Sequence, residues 1–269
     1  MVLDFTKMNG AGNDFVLIDN RARKVTLLRD QVVRLCDRHR GVGADGVILL
    51  VPSASGKADW AWEFYNSDGG AGEMCGNGAR CFSRFVRKLT GLTRGFSFET
   101  GAGVITASFQ GNRVTVSLTR PKDLRLNQQV ALSAGAQTIH SLNTGVPHAV
   151  LFVADVDRAM VQQLGPEIRR HAHFAPKGTN VNFVQRLGPN HIRVRTFERG
   201  VEGETLACGT GVTAAALVAA RLHGFTSPVK VRVQGGGQLE VSFREDHGEF
   251  VDVRLTGPAE SVFEGRIEL

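Results

Sequence analysis

The chain has 269 residues, of which 42% are hydrophobic, and it carries a formal net charge of +6. A chain of this length and composition is expected to form two globular domains. Its four cysteines include no CxxC pair, which argues against a disulfide scaffold and a zinc ribbon. The basic residues are scattered, and the longest apolar run, residues 212–220, is too short to span a bilayer. These features predict a cytoplasmic protein without a nucleic-acid or membrane partner.

The first predicted elements are strands separated by a helix. Residues 14–19 and 47–51 form short apolar runs that predict buried strands, and residues 30–38 between them predict a helix. Residues 60–65 alternate between apolar and polar types, as a half-buried strand does, and lead into a glycine-rich loop. This order of elements predicts an α/β domain.

Cys75 ends that loop and is predicted to stand at the start of a helix. The segment ARCFSRFVRKL that follows has apolar residues at helical spacing and basic residues on the other face, and Gly91 is its stop signal. Residues 104–109 and 113–118, joined by Gln-Gly-Asn, predict a β-hairpin.

The second half of the chain predicts a similar order of elements. A strand at residues 191–197 leads into a second glycine-rich loop, and Cys208 precedes an alanine-rich helix at residues 209–222. Cys208 is therefore also predicted at the start of a helix. Further paired strands are predicted near residues 229–233, 239–243 and 250–255.

A linker that contains Pro121 marks the predicted domain boundary. We expect an N-terminal domain at residues 1–120 and a C-terminal domain at residues 121–258. The final strand, at about residues 259–269, is expected to return to the N-terminal domain.

The two halves also share motifs at a nearly constant offset. FYNSDGGAGEMCGNGA begins at Phe64, and FERGVEGETLACGTGV begins at Phe197. MNGAGNDFVLID falls opposite NTGVPHAVLFVAD, and GADGVILL falls opposite GTNVNFV. Such a duplication predicts two similar units with a site between them.

The repeated cysteines are predicted to carry chemistry. A free thiol has a pKa of about 8.5, so it is mostly protonated at neutral pH. At a helix start, unpaired backbone N–H groups stabilise the thiolate and also form an anion site suited to a carboxylate. Two such thiols on opposite sides of a carbon can remove its proton from one face and return it on the other. Cys36 and Cys81, in contrast, fall on apolar helical faces and are predicted to be core residues.

Five segments resemble the signature motifs of the diaminopimelate epimerase family. They are KMNGAGNDF (residues 7–15), RGVGADG (40–46), FYNSDG…CGNGARC (64–81), FERGVEGET (197–205) and ACGTG (207–211). The resemblance implies an isomerase that interconverts LL- and meso-2,6-diaminopimelate in lysine and peptidoglycan precursor synthesis, without a cofactor or metal. It also implies an α/β fold of two pseudo-symmetric domains, each a β-barrel-like sheet around a central helix. The implied active site lies in the interdomain cleft, and the implied oligomer is a homodimer.

The resemblance further implies roles for individual residues. Cys75 and Cys208 become the acid/base pair, with His148 and Glu198 as orienting or proton-accepting neighbours. Arg199 suits a carboxylate because its guanidinium is a bidentate donor, and Glu198 suits an ammonium group. The implied substrate contacts are Asn13, Asn66, Gly76, Asn77, Asn180, Glu198, Arg199, Gly209 and Thr210.

Two positions depart from the family pattern. Val146 stands where some members have an asparagine, and Gly46 stands where some have a glutamine. Both side chains contact substrate in those members. We therefore expect water or backbone to replace part of the recognition of the distal end of the substrate.

Other functions stay open from the residues themselves. A proline or hydroxyproline racemase also uses paired cysteines, but Glu198, Arg199 and the asparagines favour an open-chain diamino diacid. A thiol hydrolase with His148 as its base leaves the second Cys-Gly-Thr-Gly motif unexplained. A non-catalytic amino-acid-binding module needs the helix starts but neither thiol.

The GxGxxG match at residues 41–46 does not predict a dinucleotide site. A helix precedes this segment and a strand follows it, which reverses the order that places a pyrophosphate on a helix N-terminus. His171 and His173 have no companion ligands at a suitable spacing, so the sequence predicts no metal site.

Overall fold

The computed structural model describes all residues, 1–269, and the chain divides into two compact units. The first unit contains Met1–Ser117 and Gly257–Leu269, and the second contains Leu118–Thr256. The C-terminal segment thus returns to the unit in which the chain begins. None of the helices combines the length and the apolar character needed to cross a membrane.

Strands make up most of the regular structure. Up to residue 117 they are β1 (Val2–Gly10), β2 (Asn13–Asp19), β3 (Gly46–Val51), β4 (Trp60–Asn66), β5 (Phe96–Thr100), β6 (Gly103–Gln110) and β7 (Arg113–Ser117). Those that follow are β8 (Lys122–Leu132), β9 (Gly135–Asn143), β10 (Pro147–Phe152), β11 (Asn180–Gly188), β12 (His191–Glu198), β13 (Gly203–Thr205), β14 (Val229–Val233), β15 (Gln238–Asp246), β16 (Glu249–Pro258) and β17 (Glu260–Glu268).

Four α-helices connect or fill these sheets. They are α1 (Arg29–Cys36), α2 (Gly76–Thr90), α3 (Val161–Arg170) and α4 (Gly209–His223). A single turn of 3-10 helix follows α3 at Ala172–Phe174.

In the first unit the strands are neighbours in the order β17, β1, β2, β3, β4, β5, β6, β7. The pairs β2–β3 and β4–β5 are parallel, and the others are antiparallel. Helix α2 packs against β1, β2, β3 and β7. Because β1 and β7 stand far apart in the strand order, the sheet must curve around α2.

The second unit repeats this arrangement. Its strands are neighbours in the order β8, β9, β10, β11, β12, β14, β15, β16, and β13 is a short addition beside β12. The pairs β10–β11 and β12–β14 are parallel, at the same places in the order as in the first unit. Helix α4 packs against strands from β9 to β15. The predicted α/β fold of two pseudo-symmetric domains, each a curved sheet around a central helix, is confirmed.

Helix α2 ends at the predicted stop signal, and α4 extends one residue beyond the predicted 209–222. Helix α2 ends at Gly91 and α4 ends at Gly224, and these glycines have left-handed φ values of 70° and 66°. This conformation is easy only for residues without a Cβ, and it releases the chain from the helix. Most residues of α4 are fully buried, as expected for a helix that is apolar on all sides.

Candidate active site

Cys75 stands immediately before α2, with an extended backbone (φ −141°, ψ 118°). Its Sγ accepts a hydrogen bond from the backbone N–H of Gly78 at 3.4 Å. This N–H is one of the donors that a helix start leaves without a partner inside the helix. The contact therefore caps the helix and also stabilises negative charge on the sulfur.

Asn13 accepts a hydrogen bond from the Cys75 thiol, and Asn77 bonds to Asn13. Sγ donates to Asn13 Oδ1 at 3.6 Å, and Asn77 Nδ2 donates to the same oxygen at 3.3 Å. Asn13 Nδ2 donates to the carboxylate of Asp45, which fixes the end of Asn13 that faces the thiol. The thiol thus has an acceptor for its proton, while the Gly78 N–H serves the ionised form.

A cluster of charged side chains next to Asn13 holds its hydrogen-bond acceptor in place. The Arg38 guanidinium donates to the Asp14 carboxylate at 2.8 and 3.0 Å and to Asp45 at 3.0 Å. The buried Lys7 ammonium lies 2.8 Å from Asp14. Burial alone raises the pKa of Asp14, but the hydrogen bonds from Arg38 and Lys7 outweigh it and lower the pKa to about 2. Asp14 is therefore ionised at neutral pH.

Arg80 lies fully buried in the first turns of α2. Its Nη2 donates to Asn77 Oδ1 at 2.9 Å, which directs the amide nitrogen of Asn77 toward Asn13. Burial lowers the pKa of Arg80 to about 10, so the guanidinium stays charged at neutral pH, and it interacts electrostatically with Cys75. It also donates to the backbone carbonyls of Gly10, Gly76 and Pro258.

Asn66 and Gly46 occupy the same edge of this sheet as Asn13. Asn66 is the last residue of β4, is exposed, and pairs in register with Gly46, the first residue of β3. A Cβ on Gly46 would lie 2.7 Å from the Tyr65 carbonyl oxygen and 2.9 Å from the Phe64 ring. Packing therefore excludes a side chain at Gly46.

Cys208 stands immediately before α4 and is buried. Its Sγ lies 3.5 Å from the Thr210 hydroxyl. The Thr210 carbonyl accepts a hydrogen bond from the hydroxyl of buried Thr144 at 2.9 Å, which ties the turn before β10 to the helix start. The two predicted carboxylate-binding residues of this unit, Gly209 and Thr210, are the first residues of α4.

His148 is buried within a polar cluster of three strands. Its Nδ1 lies 3.2 Å from Nδ2 of Asn182, a residue that is itself fully buried. Burial lowers the pKa of His148 to about 3, and the positive charge of Arg199 acts in the same direction. The imidazole is therefore neutral at neutral pH.

Asn180, Glu198 and Arg199 meet at the end of β12. Asn180 Oδ1 accepts from the Arg199 backbone N–H at 2.9 Å, and its Nδ2 donates to the Pro147 carbonyl at 3.2 Å. The Glu198 carboxylate accepts from the Thr205 hydroxyl. Strand pairing places His148 beside Asn180 and Val181 beside Phe197, so His148, Asn180 and Glu198 share one edge of the sheet.

The structure thus brings the predicted residues together within each unit. In the first unit Asn13 contacts Cys75, Asn77 contacts Asn13, and Gly76 opens the helix, whereas Asn66 is exposed at the end of its strand. In the second unit the predicted residues lie at the start of α4 and along one sheet edge. Val146, at this edge, has no polar side-chain atom to offer a substrate.

Sequence reasoning missed two polar residues beneath these sites, Arg80 and Asn182. Both interrupt apolar patterns: Arg80 lies on the buried side of α2, and Asn182 lies between Val181 and Phe183 in β11. A polar residue inside an otherwise buried run signals a specific hydrogen-bond partner, because burial without one is costly.

The remaining cysteines and acidic residues do not add to these sites. Burial raises the pKa of Cys36 and of Cys81 to about 12, which agrees with their predicted place in the core. No group of three or more His, Cys, Asp or Glu side chains is arranged to hold a metal ion.

Comparison with known proteins gives one consistent family. The diaminopimelate epimerase family model matches residues 5–123 and again residues 140–262. The diaminopimelate epimerase of Aquifex aeolicus (strain VF5) is 45% identical over 278 residues, which cover 98% of each chain. That of Chlorobaculum tepidum is 43% identical and covers 97% of this chain and all of the relative.

Solved structures show the same fold at low sequence identity. A phenazine biosynthesis protein of the PhzF family from Bacillus anthracis has a TM-score of 0.77 at 13% identity and covers 100% of both chains. A hydroxyproline epimerase from Agrobacterium vitis, with bound trans-4-hydroxy-L-proline, has a TM-score of 0.74 at 18% identity and covers 99% of this chain and 92% of its own. The sequence relatives and the twofold match together confirm the resemblance of the motifs: the chain belongs to the diaminopimelate epimerase family.

Proposed function

We propose that this protein interconverts LL- and meso-2,6-diaminopimelate, with Cys75 and Cys208 as the two acid/base groups. The observation that carries the proposal is the cysteine at the N-terminus of the central helix in each of the two units. Family membership supplies the substrate class, and the repeated helix start supplies the chemistry.

The proposed reaction removes one proton from the α-carbon and adds a different proton from the opposite face. A thiolate on one face of the α-carbon removes its proton, and the electron pair left behind is delocalised into the adjacent carboxylate. The thiol on the other face then donates its own proton to that carbon. The first cysteine ends as a thiol and the second as a thiolate, so the enzyme is ready for the reverse direction, and no cofactor is consumed.

The helix starts fit the carboxylate next to the reacting carbon. Gly76 and Asn77 in one unit, and Gly209 and Thr210 in the other, carry backbone N–H groups at the positive ends of helix dipoles. Such donors stabilise the negative charge that builds on the carboxylate as the proton leaves.

The distal end of the substrate is assigned to the sheet edges. Arg199 is suited to the second carboxylate, and Glu198, oriented by the Thr205 hydroxyl, is suited to an ammonium group. Asn66 and Asn180 are proposed as further contacts, and Asn13 acts through its hydrogen bond with Cys75. Because Gly46 and Val146 offer no polar side chain, water or backbone completes this recognition.

The same proposal includes the setting of the enzyme. By analogy with the family, we propose that the protein acts as a homodimer in the cytoplasm. The helices, none of which is suited to cross a membrane, are compatible with that location.

Incubation with LL-diaminopimelate in D2O tests the proposed function. We expect deuterium to appear at one α-carbon and the LL isomer to become a mixture with the meso isomer. With trans-4-hydroxy-L-proline, the ligand of the structurally similar epimerase, we expect no inversion. Absence of both deuterium exchange and inversion with diaminopimelate would refute the proposal.

A further inference from the structure

Asn182 is a buried amide whose contacts come from two neighbouring strands. Its Nδ2 lies 2.9 Å from the Ala149 carbonyl oxygen and 3.2 Å from His148 Nδ1, both in β10. Its Oδ1 lies 3.0 Å from the Thr196 hydroxyl in β12. All the polar atoms of this side chain are therefore engaged.

These contacts decide which end of the amide is the nitrogen. A backbone carbonyl can only accept hydrogen bonds, so the Asn182 atom beside Ala149 must be the NH2 group. The two hydrogens of that group then serve the Ala149 oxygen and the His148 ring. The Thr196 hydroxyl donates to the oxygen at the other end. Reversal of the amide places two oxygens together and breaks the Ala149 bond.

The orientation of Asn182 in turn decides where His148 carries its proton. Nδ1 faces an N–H donor, so Nδ1 must be the unprotonated, accepting nitrogen of the ring. Because the buried ring is neutral, its single proton lies on Nε2. Nε2 is buried and has no hydrogen-bond partner in the protein. A buried N–H without a hydrogen-bond partner costs free energy. A ligand or an ionised side chain at the site removes this cost when it accepts the hydrogen bond.

We propose that Asn182 is a positioning residue that holds His148 as the Nε2–H tautomer, which makes His148 a hydrogen-bond donor to an anionic group at the site. The acceptor is a substrate carboxylate oxygen or a cysteine thiolate, which share the negative charge that an N–H donor stabilises. The proton acceptor role implied by the resemblance is thereby replaced by a donor role. The part of this inference that concerns the reaction rests on the proposed function, whereas the position of the proton does not.

Asn182 also contacts the turn that carries Cys208. A Cβ added to Gly211 would lie 2.2 Å from Asn182 Oδ1 and 3.3 Å from the Cβ of Cys208. The absence of a side chain at Gly211 is what lets the amide approach the helix start. The residue that sets the His148 tautomer is therefore packed directly against the Cys208 turn.

The fold itself does not require this polar cluster. In the first unit, register pairs β2 with β3 and β3 with β4 as it pairs β10 with β11 and β11 with β12. The positions equivalent to His148, Asn182 and Thr196 are there occupied by Phe15, Ile48 and Phe64, whose side chains are buried. A duplicated fold with an apolar version of the same positions points to a specific task for the polar version.

Nitrogen-15 NMR of the full-length protein labelled at histidine tests the tautomer directly. The His148 signals are assigned by their loss in a His148→Gln variant. At neutral pH we expect a protonated Nε2 and an unprotonated Nδ1. A protonated Nδ1, either as the other tautomer or as an imidazolium, overturns the inference.

Substitution of Asn182 tests its part in setting the tautomer. In Asn182→Asp the near-isosteric carboxylate only accepts, so we expect the His148 proton to move to Nδ1 and kcat to fall about a hundredfold, as when one preorganised donor is lost. Thr196→Val is the matched control, because Nδ2 stays bound to Ala149 and the Nε2–H signature should persist. An Asn182→Asp protein that keeps the Nε2–H signature contradicts the inference. If that variant does not fold, the spectrum of the wild-type protein still decides.

Addition of diaminopimelate to the labelled protein separates this inference from the proposed function. We expect the Nε2–H resonance to shift in the complex as it acquires an acceptor. Inversion of diaminopimelate by a protein whose His148 is protonated at Nδ1 overturns only the present inference. A His148 with the Nε2–H signature in a protein that does not invert diaminopimelate overturns only the proposed function.

Discussion

The two units place a cysteine at the same point of the same fold but surround it differently. The sheet beneath Cys75 presents apolar side chains, and the buried cation of Arg80 lies within α2. The sheet beneath Cys208 presents the polar cluster of Asn182, and α4 has the neutral residue Thr213 at the place of Arg80. Both Arg80 and Thr213 bond to the first carbonyl of their helix, at 3.1 and 2.9 Å.

The two helix starts are alike, whereas the side chains around the two thiols differ. Near Cys75, a full positive charge and a backbone N–H favour negative charge on sulfur. Near Cys208, the Thr210 hydroxyl lies 3.5 Å from Sγ, and the neutral amide of Asn182 packs against the same turn. A two-base reaction needs one thiolate and one thiol at the same time, so unlike surroundings suit its task.

Removal of one thiol at a time should have the largest effect on activity. For Cys75→Ala and Cys208→Ala we expect kcat for inversion to fall by about a thousandfold or more, because in the proposed mechanism one face of the α-carbon loses its acid/base group. Residual α-proton exchange in D2O should favour opposite isomers in the two variants. The control is Cys36→Ala, which removes a core thiol and should keep full inversion activity. Equal exchange from both isomers in either variant contradicts the assignment of separate faces.

Replacement of the buried cation Arg80 by a neutral residue tests the difference between α2 and α4 at this position. In Arg80→Met, three backbone carbonyls and Asn77 lose their donor, so we expect the free energy of unfolding to fall by about 3 kcal/mol. Loss of the positive charge should also move the acidic limb of the kcat/KM profile to higher pH. Thr213→Val, at the equivalent place in α4, serves as control and should leave that limb in place. Urea unfolding and pH-rate profiles measure both effects.

Two equivalent glycines, one in each central helix, differ in what a side chain would meet. A Cβ at Gly211 would lie 2.2 Å from Asn182 Oδ1, whereas one at Gly78 would lie 3.1 Å from the terminal methyl of Ile48. We therefore expect Gly211→Ala to lower the free energy of unfolding by about 2 kcal/mol more than Gly78→Ala. Denaturant unfolding of both variants measures this difference. Equal losses in the free energy of unfolding would mean that Asn182 does not hold its position against α4.

The ionised Asp14 carboxylate should make the stability of the fold depend on pH. The pKa of Asp14 in the folded protein, about 2, is below its ordinary value of 3.8. The ionised group therefore stabilises the fold above pH 4, and this stabilisation is lost as the pH falls toward 2. We expect the wild-type protein to lose about 2 kcal/mol more than Asp14→Asn over this range. An equal loss of stability in both proteins over this pH range would contradict a role for Asp14 in acid stability.

The elements that the sequence predicted correctly carry strong local signals. The hairpin at β6 and β7, the strand β14, and the starts of α2 and α4 follow from alternation, helical spacing and glycine stop signals. Some of the missed elements lack such signals. Strands β8 and β9 have many polar residues and few buried ones, and α3 contains Gly165 and Pro166, which read as helix breakers. Gly165 is required there because a Cβ would lie 2.7 Å from the Phe197 ring.

The duplication, the two cysteine turns and the family could be predicted from the residues alone, because contiguous motifs and glycine positions specify them. The polar groups that support each turn become visible in the folded chain. Asn182 reaches His148 from a neighbouring strand, and Arg80 reaches carbonyls as far away in sequence as Pro258. Such pairings depend on strand register and on which face of a strand is buried, and neither can be read from residues that lie far apart along the chain.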